Sequence, residues 1–345
     1  MSRSAGVTIC MGRAWLRPAG ALVAGAAIVF GSGSALAQQK QDVTVSVLSA
    51  PFGTAAYVLC NALEQISIKE KSAVKIVASE SPGYIFNIKK LDSEPALRKT
   101  TIVGSGPALL GLATSGSKPF TKKYNQLKLI GNMSIVAVWL ASTNEKIRSG
   151  NDVAGKRIAL GKSAQINWAV LPRAVVENGW GVKASVQYLG PKPAISALLD
   201  GKADVAIVGG YINPAQTKLA LAPPTLELTA SGRKLNHIPF GTAAVQKTAG
   251  KGYRITPYTI QPGGIDGLDK PLETFIDTSS WTVDASFPED LAYAVTKLVI
   301  KNVRTFGEYH AVGKLISEKG LVYGWKIEDI HPGALKAYKE AGIIK

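Results

Sequence analysis

Apolar residues recur along this chain as short β-like runs separated by stripes at helical spacing. The pattern is clearest between residues 155 and 214. Arg157–Gly161 is short, β-rich and closed by glycine, Trp168–Glu177 has apolar residues at helical spacing, and Val205–Val208 is an apolar run that follows the punctuating Gly201–Asp204. This alternation predicts a layered α/β unit with a largely parallel sheet. Such sheets carry ligands at the carboxyl ends of their strands, where helix N-termini offer free N–H groups.

The same grammar extends to both sides. Asp42–Ser49 alternates and is rich in Val, which predicts a first strand. A helix is expected over Thr54–Ile68, capped by Thr54 and striped by Tyr57, Val58, Ala62, Leu63 and Ile66. Val74–Ala78 and Thr101–Gly104 predict two more strands. Between them Ser81-Pro82 suits a helix cap followed by proline at the first helical position, with Ile85, Ile88 and Leu91 continuing the stripe. Leu127–Ala141 is long for one strand and is expected to divide at Gly131-Asn132. It and Asp277–Val283 are candidates for strands that cross between two domains. Ala220–Gly252 gives no clear pattern, and Thr256–Pro271 reads as irregular around a short strand near Tyr258. Toward the C-terminus, Pro288 is expected in the first turn of a helix with Leu291, Val295, Leu298 and Val299 on its apolar face. Phe306–Ile316 and His331–Ala341 also predict helices. These last helices lack intervening strands, so they are expected to pack back on the first domain.

The N-terminus changes the picture of where this protein works. Arg3, Arg13 and Arg17 precede the apolar run Ala19–Phe30, and Ala35 and Ala37 occupy the small-residue positions of a cleavage site. A signal peptide over 1–37, cleaved after Ala37, predicts export to the periplasm. Of the two cysteines, Cys10 would leave with the leader. Cys60 would remain alone, a small buried hydrophobe with no internal disulfide.

Charge narrows the partners less. Lys and Arg number 40 against 24 acids, a formal net charge of +16, and the excess is spread along the chain. No helix-turn-helix, zinc-finger or RNA-binding signature accompanies it, so no nucleic-acid partner is expected.

Chemistry is sparse. His237, His310 and His331 lie far apart without paired ligand spacing, and no HExxH, GxSxG or Walker motif is present. Asp200 and Asp204 flank Gly201-Lys202 in what reads as a solvated turn. No catalytic residue, metal site or cofactor is expected. Four segments look like binding elements instead: Ser49–Tyr57, Ser79–Asn87, Lys162–Trp168 and Gly209–Pro214. Glycine lets backbone approach a ligand, and Ser, Thr, Gln and Asn at helix starts can orient a carboxylate. Each of these side chains also has a purely local use, as a cap or as loop polarity. Trp139 reads as core and Trp325 as structural, whereas Trp168 can close over a ligand and Trp281 can line a cleft.

Together these stretches resemble the TAXI family, the extracytoplasmic solute receptors of TRAP transporters. The resemblance rests on GTAAY at 53–57, SPGYIFNIKKL at 81–91, NDVAGKRIALGKSAQ at 151–165, LLDGKADVAIVGGYINP at 198–214, FPEDLAYAVTKLVIKN at 287–302 and IHPGALKAYKEAG at 330–342. It implies a two-lobed periplasmic binding protein of type II-like α/β fold, with a ligand cleft and two crossing hinge strands. Lobe 1 would comprise 38–137 and 284–345, and lobe 2 would comprise 138–283. It implies capture of a small carboxylate or amino acid and its delivery to a TRAP-type membrane permease. Carried onto this sequence, the residues expected at the ligand are Thr54, Tyr57, Ser81, Gln165, Asn167, Tyr211 and Asn213, to which the aromatic reading adds Trp168 and Trp281. A receptor for an ATP-driven importer or a sensor, and a secreted α/β enzyme using the same cleft, are the alternatives. If the leader is read correctly, the mature protein begins at Gln38. Intact-mass measurement of the protein from the periplasmic fraction checks this, and a mass retaining residues 1–37 overturns it.

Overall fold

The computed structural model describes residues 43–345, so the leader expected over 1–37 lies outside the described residues. The chain runs β1 (Val43–Leu48), α1 (Ala55–Lys69), β2 (Val74–Ser79), α2 (Tyr84–Ser93), β3 (Thr101–Ser105) and α3 (Pro107–Ser115) into the long β4 (Leu127–Ser142). After β5 (Arg157–Leu160) comes one continuous helix. Its α-helical middle, α4 (Leu171–Ala174), is flanked by π-helical turns at Ile166–Val170 and Val175–Trp180. Next are β6 (Ser185–Tyr188), α5 (Pro191–Leu199), β7 (Val205–Ile212), β8 (Leu219–Leu221), α6 (Pro223–Thr229), β9 (Asn236–Ile238), α7 (Thr242–Ala249), β10 (Thr256–Ile260) and β11 (Leu272–Asp284). Helices α8 (Glu289–Lys301), α9 (Phe306–Tyr309) and α10 (Pro332–Glu340) close the chain.

The strands form one curled sheet with main order β2-β1-β3-β11-β4-β7-β5-β6. Its wings are parallel, as the strand–helix alternation requires: β1 pairs with β2 and β3, and β5 with β6 and β7. Its centre is antiparallel, through β3–β11, β11–β4 and β4–β7. The sheet is therefore mixed rather than largely parallel. The physical reason is that β4 and β11 run between the two wings in opposite directions, so each meets its neighbours head to tail. The wings with their helices make two lobes, and β4 and β11 are the strands that cross between them. No described helix is long and apolar enough to cross a membrane.

Glycine and asparagine do not divide β4. The strand continues through Gly131-Asn132, and the irregularity falls in its pairing with β11, as register shifts between Ser279 and Ser280 and between Trp281 and Thr282. Asn132 is held by its side chain, which donates to the carbonyls of Gly320 (2.8 Å) and Tyr323 (2.9 Å) and accepts from Ser280 Oγ (2.6 Å) and Trp325 Nε1 (3.0 Å). Trp325 is thus structural, a donor wedged against the back of the crossing strands. Trp139 is fully buried and donates to His237 Nδ1 at 2.9 Å. Cys60 is fully buried as well, and burial pushes its thiol up to about 12.

Two helix starts and one helix end differ from expectation. Pro82 stands before α2, not inside it, because Gly83 takes the N-cap position with φ +139° and the helix opens at Tyr84. Pro288 is likewise the N-cap of α8, and Glu289 and Asp290 fill the first turn, where acids complement the helix dipole. The run from Phe306 breaks after Tyr309: His310 turns extended, its ring accepts from Val312 N–H, and a 3₁₀ turn follows over Ala311–Leu315. His331 starts α10 as expected, since its fully buried ring accepts from Gly333 N–H. The C-terminal helices pack on the first wing, where Lys301 pairs with Glu70 and Tyr338 donates to the carbonyl of Ile130 at 2.5 Å.

Asp200 and Asp204 do not act together. Asp200 meets Lys202 on the surface, whereas Asp204 accepts from the Arg157 guanidinium at 2.8 Å and from its backbone N–H at 2.9 Å. Arg157 holds the Asp204 carboxyl at about 2. A carboxyl whose pKa is depressed in the fold stabilises fully above its unfolded value and loses that contribution as pH falls through the folded one. Asp204→Asn is therefore expected to lower stability at neutral pH and to flatten the loss between the ordinary value of 3.8 and about 2. Urea melts across that window check it, and an unchanged acid limb counts against it.

Candidate functional site

A cavity of about 50 Å³ lies between the lobes on the front face of the crossing strands. β4 contributes Ser134 and Val136, and β11 contributes Ser279. Four loops close around it. Ala50, Pro51, Thr54 and Ala56 come from the end of β1 and the start of α1, Gly83 and Tyr84 from the start of α2, Gln165–Trp168 from the loop after β5, and Tyr211 from β7.

The loop after β5 is shaped by a proline. Pro172 has no N–H, so the carbonyl of Trp168, four residues earlier, is released from the helical ladder. It accepts instead from Gly161 N–H at 2.8 Å, which ties the helix start back onto the end of β5. Gln165 tightens the same turn, its Oε1 accepting from Lys162 N–H at 2.8 Å. A side chain on Gly161 would lie 2.6 Å from Gln165 Oε1, so only glycine fits. The result presents Asn167 and Trp168 to the cavity at the head of a helix. Asn167 is 5% exposed, and its Oδ1 has no hydrogen-bond partner among the described residues.

On the other lobe, Thr54 is the N-cap of α1. Its Oγ1 accepts from Tyr57 N–H (3.2 Å) and donates to the carbonyl of Pro51 (2.8 Å). Ser81 is turned away from the cavity: its Oγ donates to the carbonyl of Ser49 at 3.0 Å, beside the two bonds that Asn87 Nδ2 gives to Leu48 and Ser49. These bonds fix the end of β1 against the loop after β2. Tyr57 packs edge-on against Phe52, ring centroids 5.3 Å apart. Glu80 accepts from Phe52 N–H at 2.9 Å. Asn213 closes the β7–β8 hairpin, its Oδ1 accepting from Thr217 N–H (2.9 Å) and Lys218 N–H (2.8 Å). Trp281 is fully buried against Phe306, under the part of β11 that β3 covers.

Of the nine residues singled out from sequence, the cavity brings together Thr54, Gln165, Asn167, Trp168 and Tyr211. It does not take Tyr57, Ser81, Asn213 or Trp281. Sequence reasoning missed Tyr84, Ser134 and Ser279. Tyr84 hydrogen-bonds through its hydroxyl to Ser279 Oγ, and its ring lies where a side chain on Gly104 would be. The glycine of β3 was the available signal, since an interior glycine in a strand marks a close approach.

The cavity is closed by contacts across the cleft. The Tyr211 hydroxyl reaches the space beside the start of α1, and burial raises its pKa. The backbone of Gly83 sits so close to Ala164 that a Cβ there would be 2.8 Å from the Ala164 carbonyl oxygen. No ionisable acid or basic side chain lines the space; its polar groups are hydroxyls, amides and the heads of three helices. Such a site can hold negative charge with backbone N–H groups rather than with a counter-ion.

An orphaned buried carbonyl costs about 1–3 kcal/mol. Asn167→Leu removes it, so the variant is expected to melt in urea at higher concentration than the wild type. A variant less stable than wild type by urea titration would mean that the amide is satisfied in solution.

Among solved structures, the chain is similar to a TctC solute-binding protein from Polaromonas, at 13% identity over 81% of this chain and 90% of that one, with a TM-score of 0.47. It is also similar to MatC from Rhodopseudomonas palustris with bound malate, at 13% identity over 88% and 96%, TM-score 0.48. The periplasmic binding protein BugD matches at 15% identity over 87% and 97%, TM-score 0.47. Residues 47–342, nearly the whole described chain, match the NMT1-like family, and the chain belongs to that family.

Proposed function

We propose that this protein is a periplasmic solute-binding receptor that captures a small carboxylated solute and hands it to a TRAP-type membrane permease. The observation that carries the reading is the cavity itself. Three helix heads and a partnerless Asn167 carbonyl converge between two lobes, and the lining carries no carboxylate, histidine, cysteine, lysine or arginine. That arrangement suits binding and orientation. The neutral, amide- and hydroxyl-lined cavity supports a receptor, and the TAXI resemblance supports the permease partner.

In this reading the lobes, 38–137 with 284–345 and 138–283, rotate about β4 and β11. The solute's carboxylate sits against the N–H groups at the heads of α1, α2 and the helix entered at Ile166. Asn167 takes a donor of the solute, and Trp168 covers its apolar part. The cavity of about 50 Å³ holds little more than a water or two. The solute therefore enters an open state and is enclosed by closure.

Calorimetry with C4 dicarboxylates, glutamate and aromatic acids tests the proposal. At least one acid should bind saturably, and Asn167→Leu should weaken it about tenfold or more. Gly83→Ala should also weaken it, because the added Cβ meets the Ala164 carbonyl and the φ of +139° disfavours any other residue. Binding only of uncharged compounds, or binding indifferent to both substitutions, overturns it.

A further inference from the structure

The β7–β8 hairpin belongs to the second lobe and overhangs the first. β7 pairs with β4 as far as Ile212 opposite Ile135, next to the Ser134 that lines the front cleft, and the turn that follows runs on past the hinge. Behind the crossing strands it meets the segment before α10. Pro214 lies so close to Gly320 that a Cβ on the glycine would be 2.6 Å from Pro214 Cγ. Leu219 and Tyr323 pack together on a small apolar cluster of Ile135, Ala137, Ile212 and Ile276. At the tip of the turn, Gln216 donates from Nε2 to the Tyr323 hydroxyl at 2.9 Å.

Both halves of this contact are held in place. In the turn, the Asn213 carbonyl accepts from Gln216 N–H at 2.8 Å while its side chain takes Thr217 N–H and Lys218 N–H, and Gln216 is held at φ +57°. Glycine adopts that conformation freely, so a longer residue kept there points to a use for its side chain. On the other side, Asn132 of β4 donates to the carbonyls of Gly320 and Tyr323. The hairpin therefore moves with the second lobe, and Tyr323 moves with the β4 end of the first. Asn213, which does not reach the front cavity, shapes the turn that joins the lobes behind it.

We infer that Gln216 and Tyr323 are positioning residues whose bond, with Pro214 set against Gly320, is a latch that holds the two lobes together from behind before any solute arrives. The inference rests on the two-lobed reading above, in that it takes β4 and β11 as the axis of movement. Side-chain hydrogen bonds are lost beyond about 3.5 Å, so a rotation that displaces the tip of the hairpin by about 1 Å breaks this one. The bond is thus a property of the closed state, and it works against the orphaned Asn167 carbonyl, which disfavours closure over an empty cleft. Neither Gln216 nor Tyr323 lines the front cavity, so their influence on capture runs through closure alone.

Double electron–electron resonance on solute-free protein tests this, with nitroxides at Lys89→Cys and Lys192→Cys, exposed positions on α2 and α5. Cys60 is fully buried and stays unlabelled. The protein with Gln216 and Tyr323 intact should populate the distance of the closed structure. Gln216→Ala and Tyr323→Phe should each lower the ratio of closed to open molecules about threefold or more, and the double variant should lower it no further than the stronger single one. Gln216→Glu, whose carboxylate can accept from the Tyr323 hydroxyl, should restore it; a general loss of stability would not be rescued in this way. Solute-free protein that is wholly open, or a distance distribution indifferent to these substitutions, overturns the latch. The receptor reading fails separately, through the absence of acid binding in the calorimetry above.

Discussion

Everything in this molecule hangs on two antiparallel strands that must serve two lobes and two faces at once. β4 and β11 are paired to each other from Leu127–Asp284 to Val138–Phe275. Strands that only joined two cores would be apolar on both faces. These carry Ser134 and Ser279 forward, and Asn132, Thr278 and Ser280 backward to Trp325. Buried polar groups are tolerated where they are paired, and the backward set is paired with itself and with the carbonyls of Gly320 and Tyr323. That network pins the segment before α10 to the hinge. It lets the C-terminus belong to the first wing while bracing the strands that lead out of it.

The front face follows a different rule. Its polar groups are small, neutral and only partly used. A proline releases one carbonyl, a glycine accepts its approach, and the loop that results delivers an asparagine whose oxygen is left without a partner. Charge is kept out of the lining, so discrimination rests on hydrogen-bond geometry and enclosure. In a low-dielectric enclosure a well-placed N–H is worth more than it is in water, which is why heads of helices can replace cations there.

Much of the fold was legible because periodicity survives packing. The long apolar run at 127 and the β-branched run at 277 became the crossing strands, and the stripe Leu291–Val299 became the buried face of α8. The direction of pairing was not legible, because an apolar run looks the same beside a parallel or an antiparallel neighbour. Site residues divided on a similar line. Gln165, Asn167 and Trp168 follow a glycine-closed strand and lead a helix, so position implied their place at the cavity. Ser81 and Asn213 have the same chemistry, but a nearby carbonyl and two nearby N–H groups satisfy them. Sequence shows that a side chain can bond and not whether the backbone beside it has already claimed the bond. Ser134 and Ser279 were hidden for the opposite reason: mid-strand serines read as ladder, and only their pairing across the hinge puts them in a cleft.

In the proposed reading, closure itself contributes to selectivity. With the lobes together, the cavity has room for little more than water, Gly83 lies against Ala164, and the Asn167 carbonyl has no protein partner among the described residues. Each of those features costs free energy in the closed state alone. In an open state the amide is hydrated and the backbones are apart. The unliganded protein therefore has a reason to leave this conformation, and a solute that satisfies Asn167 removes that reason. Selectivity then lies in closure as well as in contact. A molecule that fills the space but offers Asn167 nothing leaves the orphaned carbonyl in place, and closure over it remains unfavourable.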